Sequence, residues 1–420
     1  MNWKEINEKR CLSLEKYRFY HGDYDFEDFN KSEIAKKLPR STIGWGSRAV
    51  EMRANKTTFD CFENDELELT SIMERYGIYD ALNKLKEDIL VAGCGFLGLV
   101  DGNRVLPFNA QEATGRFDWR EQNLDFGAAI FNDKVTKFGN SGIIVPKDYI
   151  IYEKNQTRVK RADEQEETIV PNPTGRPLMA VLTYRSTVAR PFGNSTLNAA
   201  ARNAIVDASR TNRQAMIAAY LYNVKVDVLL GVDSDTKVDI VPGQTGDTIA
   251  VSPNENGEIP RIGEFSQHAM APFEDTILIA ARNFCTATKL TLANLGIASD
   301  APQSPEALEI VSDDLRDDIN QWQHELGEQL KYFCLTLFMK ENGISRVDDN
   351  LREKYQATIP AFKPTYRVDM GKFGDGLYKI AEKAPGALLS RNLWRAMGLS
   401  SAEIDAAIAS IQTGTNDILA

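Results

Sequence analysis

The sequence predicts an α+β fold, because segments with helical periodicity and segments with strand-like alternation both occur in it. Residues 41–130 combine two predicted helices with a predicted β-hairpin. Residues 195–222 contain no glycine or proline and are rich in alanine, which is typical of a long helix. Residues 305–342 carry apolar side chains at steps of three and four, which predicts a second and longer helix.

Length and composition are those of an ordinary globular protein. The chain has 420 residues, enough for two or three structural units with a buried core. Apolar residues make up 43% and charged residues 26%. The formal net charge of -11 argues against a protein that grips DNA or anionic lipid over a broad face, since phosphate affinity comes from Lys and Arg. The negative charge does not exclude weak contact with DNA that slides past the protein.

The cysteines and the chain start indicate a reducing compartment. Five widely spaced cysteines without a C-x-x-C pair predict neither a disulfide framework nor a zinc site. The first ten residues are charged and lack an apolar stretch, so no signal peptide is expected. The longest apolar run, residues 89–100, is too short to span a bilayer, and no membrane partner is expected.

The first half of the chain divides into an N-terminal segment, residues 1–40, and a region with both helices and strands, residues 41–193. Residues 1–40 mix charge and aromatics, which predicts a mobile or partner-docking arm, or simply a loosely ordered terminus. In residues 41–193 we expect helices at 66–76 and 78–92, followed by a hairpin around Asp101-Gly102. Short strands should follow in residues 124–153. Residues 154–177 are polar with three prolines and predict a surface loop.

A helix over residues 194–222 comes next, with Ser195 as its candidate N-cap. Its length would be about 40 Å at 1.5 Å per residue. An alanine-rich face permits close approach of a neighbouring helix, while Arg202, Arg210 and Arg213 are expected on the polar side.

Residues 223–270 predict a small β excursion, because valines alternate from 224 to 230 and turn-rich stretches follow. A second helix is expected at 271–292, then a loop of small residues at 293–303. The long helix should start at Pro305 after the cap Ser304 and reach Gly343, a length of about 55 Å.

The last part of the chain predicts smaller elements. Residues 357–370 form a proline-interrupted, β-like segment. Residues 375–411 predict two or three short helices, separated at Pro385-Gly386 and Gly398, with Ser400 or Ser401 as a cap.

One glycine motif suggests a nucleotide site. Residues 93–98 match G-x-G-x-x-G, and Asp118 lies twenty residues further on, as in a dinucleotide fingerprint. The mechanism requires the glycines to lead from a strand into a helix whose N-terminus meets the pyrophosphate. Here a helix precedes the motif and a hairpin turn follows it. We therefore expect these small residues to serve packing of a strand against a helix.

Other catalytic or metal-binding patterns are absent from the sequence. His21, His268 and His324 lack metal-ligand spacing, and His324 is expected at a surface or interface. There is no P-loop, so energy from ATP would have to come from another protein. An acidic cluster should share one side of the long helix, where a solvated or repulsive face is favoured over metal binding. It comprises Asp313, Asp314, Asp317 and Asp318. No cofactor and no enzymatic activity are expected.

The order of elements, with several short segments, resembles the portal proteins of tailed bacteriophages. The segments are Gly44-Trp45 with Ala49-Val50-Glu51, LVAGCGFLGLV at 90–100, ARPFGNSTLN at 189–198, DASRTNRQ at 207–214 and SPEAL at 304–308. The resemblance covers residues 40–400, and it is specific through the order and spacing of these segments. Two features depart from the family: proline replaces alanine in Ser304-Pro305-Glu306-Ala307, and the C-terminal region is short.

The resemblance implies a particular division of the chain. Residues 41–193 would be the α/β wing, 194–222 and 271–292 the two stem helices, and 223–270 the β-containing clip. Residues 293–303 would be a tunnel loop facing DNA, 304–370 the long wing helix with a strand segment, and 371–420 a short helical crown. The loop residues implied are Asn294, Gly296, Ile297, Ala298, Ser299, Asp300 and Gln303.

The resemblance also implies a function, that of a ring, usually of twelve subunits, at a capsid vertex. Double-stranded DNA would pass through it during genome packaging and ejection. Its partners would be the terminase large subunit, the major capsid or scaffold protein and a head–tail adaptor, in a virion assembled in the host cytoplasm. Arg202, Arg210 and Arg213 would make weak DNA contacts or, preferably, pairs between subunits.

The acidic charge and the small residues of the loop suit a conduit, which must not hold its cargo or read its sequence. Two alternatives remain from the sequence. One is an NAD(P)-dependent oxidoreductase that uses Gly93 to Gly98, and the other is a different structural protein of the virion head–tail region.

Overall fold

The structure is a computed structural model that describes the following residues. They are 5–6, 13–24, 41–131, 146, 148–223, 227–230, 238–241, 248–251, 261–264, 270–297, 305–365, 378–379, 382–383, 385–396, 399 and 403–411.

The described chain contains both helices and strands, as expected for an α+β fold. The α-helices are α1 (Leu14–His21), α2 (Trp45–Ala54), α3 (Leu69–Arg75), α4 (Ile78–Ala92), α5 (Ala199–Asn223), α6 (Ala271–Thr288), α7 (Pro305–Glu341), α8 (Asp349–Ala357) and α9 (Arg391–Ala396). Short 3₁₀ helices lie at Ala293–Leu295 and Pro385–Leu389, and residues 403–411 are also helical.

The strands form two sheets and three two-stranded pairings. They are β1 (Phe59–Glu63), β2 (Cys94–Val100), β3 (Arg104–Phe108), β4 (Ala113–Asp118), β5 (Asn123–Ile130), β6 (Tyr149–Glu153), β7 (Gln156–Lys160), β8 (Thr168–Pro171), β9 (Met179–Thr183), β10 (Asp227–Leu230), β11 (Val238–Val241), β12 (Thr248–Val251), β13 (Arg261–Glu264) and β14 (Ile359–Phe362). The three-stranded sheet has the order β3-β2-β9 and the five-stranded sheet the order β4-β5-β6-β7-β8. All the described pairings are antiparallel.

The predicted hairpin is confirmed. Val100 pairs with Arg104, so β2 and β3 are joined by a three-residue loop. Asp101 and Gly102 both have positive φ, at 52° and 77°, as tight hairpin loops require. Helix α4 has the predicted bounds, and α3 lies within its predicted range.

The prediction of a surface loop over residues 154–177 is wrong in part, because β7 and β8 lie there. These strands extend the sheet from β6 outward, and every residue of β8 is exposed. A polar composition is compatible with such a solvent-facing edge strand. The prolines do not interrupt the strands: Pro171 ends β8, and Pro173 and Pro177 follow it.

Helix α7 runs through the centre of the fold. The predicted apolar positions from 315 onward are all buried, namely Leu315, Ile319, Trp322, Leu326, Leu330, Phe333 and Leu337. The Trp322 indole Nε1 donates to the Thr183 carbonyl at the end of β9, 3.1 Å away. At Gly327 an added Cβ would come within 2.7 Å of the Pro360 ring, so β14 packs directly on this helix. The 37-residue helix therefore joins the three-stranded sheet to the β1–β14 pair.

Part of the predicted N-terminal arm is a docked helix. In α1, Tyr17 and Phe19 are buried, and the Lys16 ammonium donates to the Ala92 carbonyl at 2.6 Å. Just beyond the helix, the Tyr24 hydroxyl lies 3.0 Å from the Ser209 hydroxyl of α5 in a buried hydrogen bond. The expectation of a mobile arm is therefore wrong for residues 13–24, because aromatic side chains bury there. Residues 25–40 lie outside the described part of the chain.

Helices α5 and α6 form an antiparallel hairpin. The amide of Asn198, just before α5, donates to the Ala287 carbonyl near the end of α6 at 3.3 Å. Between the two helices, β10 pairs with β13 and β11 with β12, which confirms a β-containing insertion. The valine pattern around 224–226 lies outside the described residues.

Two predicted helix boundaries need correction. Helix α5 begins at Ala199, where the Asn198 side chain accepts from the Ala201 amide at 2.9 Å and acts as the N-cap. Ser195 instead donates to the Val91 carbonyl, at 2.6 Å, so it belongs to the preceding turn. Helix α6 ends at Thr288 and not near 292, because Lys289 adopts a left-handed conformation with φ 55°. Pro385 begins a 3₁₀ helix, and Gly398, Ser400 and Ser401 lie outside the described residues.

Candidate functional site

The candidate site is the base of the helical hairpin together with the start of the connection to α7. At this base, alanines at 201, 204 and 208 of α5 are buried. On α6 the buried residues are Ala280, Ala281, Phe284, Cys285 and Thr288. Small side chains allow the two helices to approach closely, as the alanine periodicity predicted. The ring of Phe284 lies 5.6 Å from that of Trp45, which ties the hairpin to α2.

Other apolar side chains of the same hairpin lie in solvent. Ile279 is 56% exposed and Met270 is 38% exposed. Ala215 and Ala219 of α5, predicted to lie on its apolar face, are only half-buried. The described part of the chain therefore leaves these apolar side chains uncovered.

The three predicted arginines of α5 occupy different environments. Arg202 donates to the Leu197 carbonyl at 2.7 Å and lies 3.5 Å from the Glu15 carboxylate of α1. Arg210 is exposed, as expected. Arg213 is only 5% exposed, so its assignment to a polar face is wrong. Its position one turn beyond the buried Ser209 places it on the packed side of the helix.

Only part of the predicted loop is described, and that part is well ordered by its own hydrogen bonds. The Asn294 side-chain oxygen accepts from the amide and the hydroxyl of Thr291, each at 3.0 Å. Gly296 ends the 3₁₀ helix with φ 76°, and the Ile297 amide donates to the Leu292 carbonyl at 3.1 Å. The Asn294 oxygen is thus used within the turn. Ala298, Ser299, Asp300 and Gln303 lie outside the described residues.

A buried ion cluster joins this connection to the rest of the fold. The Asp318 carboxylate of α7 is fully buried, and the Arg53 Nε of α2 donates to it at 3.0 Å. The Tyr184 hydroxyl donates to the same oxygen at 2.6 Å. Arg185 pairs with the other carboxylate oxygen, and the Lys289 ammonium lies 4.0 Å from it. One carboxylate therefore links α2, the end of β9, the end of α6 and α7.

The prediction that four aspartates share one acidic face of α7 is wrong for Asp318. Asp313, Asp314 and Asp317 are exposed, whereas Asp318 points into the core. The helix itself carries the signal that would have separated them: Asp318 lies three residues after Leu315 and four before Trp322, on the apolar stripe. The same signal was available for Arg53, which lies four residues after Ala49 and three after Val50 on the buried side of α2, but sequence reasoning did not predict this helix.

Electrostatics favour the ionised form of Asp318. Burial alone would raise the pKa of this carboxyl group. The charges of Arg53 and Arg185 and the hydrogen bond from Tyr184 outweigh burial and hold the pKa below its usual value. The buried carboxylate is therefore charged at neutral pH.

The glycine motif has the geometry of a packing site. Gly93 ends α4 with φ 101°, and β2 follows, so the helix precedes the strand. An added Cβ at Gly95 would meet Leu85 and Ile89 of α4 at 2.8 and 2.9 Å. Asp118 makes an ion pair with Lys154. Strand β2, which carries Gly95 and Gly98, leads into the β2–β3 hairpin and not into a helix, in contrast to a dinucleotide site.

The described residues contain no group of three or more His, Cys, Asp or Glu side chains able to hold a metal ion. Within the same ranges, no helix combines the length and apolar character needed to cross a membrane. His324 is exposed on α7, in agreement with the sequence.

Comparisons with known proteins leave the family open. No protein-family profile matches the chain, and no curated protein does. A solved structure, described as the neck of a native GTA particle computed with C12 symmetry, contains a chain with a TM-score of 0.48 and 14% sequence identity to this one. The match covers 92% of this chain and 93% of that chain. Similarity at this level assigns neither a family nor a function.

Proposed function

We propose that this chain is a subunit of a portal ring of a tailed bacteriophage and that it has no enzymatic activity. The observation that carries the proposal is the order of elements from α5 to α7. A two-helix hairpin with a β-containing tip rises from an α+β body, and a 37-residue helix through that body follows it. The segments quoted from the sequence run in the order expected of a portal subunit.

The exposed side chains of the hairpin support assembly into a ring. A closed ring needs two different surfaces on each subunit that fit one another. The apolar side chains around Ile279 and Met270 would be covered when neighbouring hairpins pack side by side. We expect about twelve subunits by analogy with the portal family.

The charge of the chain supports a conduit. Each tight phosphate contact would add a barrier to sliding, whereas subunits of net charge -11 present an acidic wall. The buried position of Arg213 and the pairing of Arg202 with Glu15 remove two of the predicted cationic contacts from the hairpin surface. In this role the β-containing tip would meet the terminase large subunit and later the head–tail adaptor. The body would contact the major capsid or scaffold protein at one vertex of the virion.

Single-particle electron microscopy and native mass spectrometry of the purified full-length protein test the proposal. The expected result is a closed ring with a central opening wide enough for duplex DNA. Particles that remain monomers or dimers at every concentration, and after co-expression with the capsid protein of the same virion, would refute it. A ring whose hairpins lie at the outside and not along the axis would favour another head–tail structural protein.

A further inference from the structure

Helix α2 contacts two points of the connection between α6 and α7, one at the end of α6 and one in the following 3₁₀ helix. The Arg53 Nη2 atom donates to the Thr288 carbonyl at 2.5 Å, where α6 ends. The Arg48 Nε atom donates to the Asn294 carbonyl at 3.0 Å, within the 3₁₀ helix. Two arginines of a ten-residue helix thus reach two main-chain oxygens that lie six positions apart.

These oxygens are favourable acceptors for a cation. Carbonyls in the last turn of a helix lack partners within the helix and carry the negative end of its dipole. Thr288 is the last residue of α6, and Asn294 lies in a single 3₁₀ turn that Gly296 ends. A guanidinium group at such an oxygen both completes its hydrogen bonding and complements the dipole.

Helix α2 can serve as a fixed support, because its own position is strongly determined. Arg53 is anchored by Asp318 and by the Ala49 carbonyl, 2.9 Å from its Nη1 atom. At the start of the helix, Trp45 is buried against Phe284. An added Cβ at Gly46 would come within 2.7 Å of the Phe19 carbonyl of α1. The support therefore contacts α1, α6 and α7 at once.

We infer that α2 is the positioning element of the α6–α7 connection, with Arg48 and Arg53 as the two residues that set where residues 288–297 lie. All the contacts involved lie within one chain, so the inference holds whether or not the chain forms a ring. In a ring, a displacement of α2 in the body would be passed to the start of the loop beside the channel. This relationship is separate from ring formation itself and from any contact with DNA.

Hydrogen–deuterium exchange on the full chain tests the inference, because several amides in the connection are hydrogen-bonded. The amides of Leu290, Asn294, Gly296 and Ile297 donate to carbonyls within residues 285–293. Arg48 is exposed, so its substitution should leave the fold intact. We expect Arg48→Met to accelerate exchange in residues 289–297 by about tenfold, from the loss of one charged hydrogen bond.

Matched variants separate positioning from general destabilisation. Arg48→Lys keeps a charged donor and should restore part of the protection. Arg75→Met removes an exposed arginine that pairs with Glu341 at 3.1 Å, and it should leave residues 289–297 unchanged. Peptides from α4 report on the rest of the fold. Unchanged exchange in residues 289–297 of Arg48→Met, or equal acceleration in α4, would overturn the inference.

Discussion

The Arg53 guanidinium lies 3.0 Å from the Asp318 carboxylate, although 265 residues separate them in the sequence. The exposed fraction of the two side chains is 1% and 0%. Taking both charges out of water is costly, and the pair is stable only because each partner has further hydrogen bonds. The pair itself therefore adds little to stability, but removing one partner is costly because the other is left as an uncompensated buried charge.

Asp318→Asn should be strongly destabilising. It leaves Arg53 buried without its counter-ion, at a cost of about 3 kcal/mol in the free energy of unfolding. The matched control is Asp313→Asn, which affects an exposed pair with Arg316 and should change stability by less than about 0.5 kcal/mol. Urea unfolding of both variants at neutral pH measures the difference, and equal effects would argue against a structural role for the buried pair.

The difference in the free energy of unfolding between wild type and Asp318→Asn should depend on pH. The pKa of Asp318 in the folded chain is lowered, so its contribution is complete above the unfolded value of about 4. It is lost as pH falls through the lower folded value. Unfolding at a series of pH values should therefore show a constant gap from about pH 5 to 8 that narrows below about pH 4. A gap that widens in acid would contradict the direction of the shift.

Gly95→Ala should destabilise the fold by about 1–3 kcal/mol, because the new methyl group would overlap Leu85 and Ile89 of α4. Gly386→Ala is the control, since an added Cβ there meets no atom within 4 Å. Thermal unfolding compares the two variants. If Gly95→Ala is neutral, the tight contact between β2 and α4 is not what requires glycine.

Calorimetry of the wild type with NAD and NADP should show no binding.

Asn198→Ala removes the N-cap of α5 and should cost about 1 kcal/mol. Asn203→Ala makes the same change at an exposed position inside the helix, where alanine is preferred, and should be neutral or slightly stabilising. Chemical unfolding of both proteins gives the comparison. A loss of stability at 203 as large as that at 198 would show that the cap is not the cause.

Ile279→Glu should weaken assembly without lowering the stability of the subunit, because this side chain is more than half exposed in the single chain. Ile359→Glu, an apolar residue of similar exposure on β14, serves as the control for added charge. Sedimentation velocity over a range of concentrations would detect the shift from ring to smaller species. Intact rings in Ile279→Glu would place this side chain outside the interface between subunits.

Long periodic elements were predictable from the sequence, and buried polar contacts were not. Helix α7 and the β2–β3 hairpin follow from apolar spacing and turn residues, which are local signals. The strands β7 and β8 were missed because pairing with β6 overrides a polar composition at a sheet edge. The cluster around Asp318 combines residues that are far apart in the chain, so neither their charges nor their spacing reveals that they meet.

The contact between Tyr24 and Ser209 also constrains how the chain is made. The two residues are 185 positions apart, so Tyr24 is synthesised long before Ser209. At 5–20 residues per second this interval lasts roughly 10–40 s. During that time the Tyr24 side chain cannot complete its native environment. Chaperone association during synthesis should therefore begin at this segment and end once α5 has emerged.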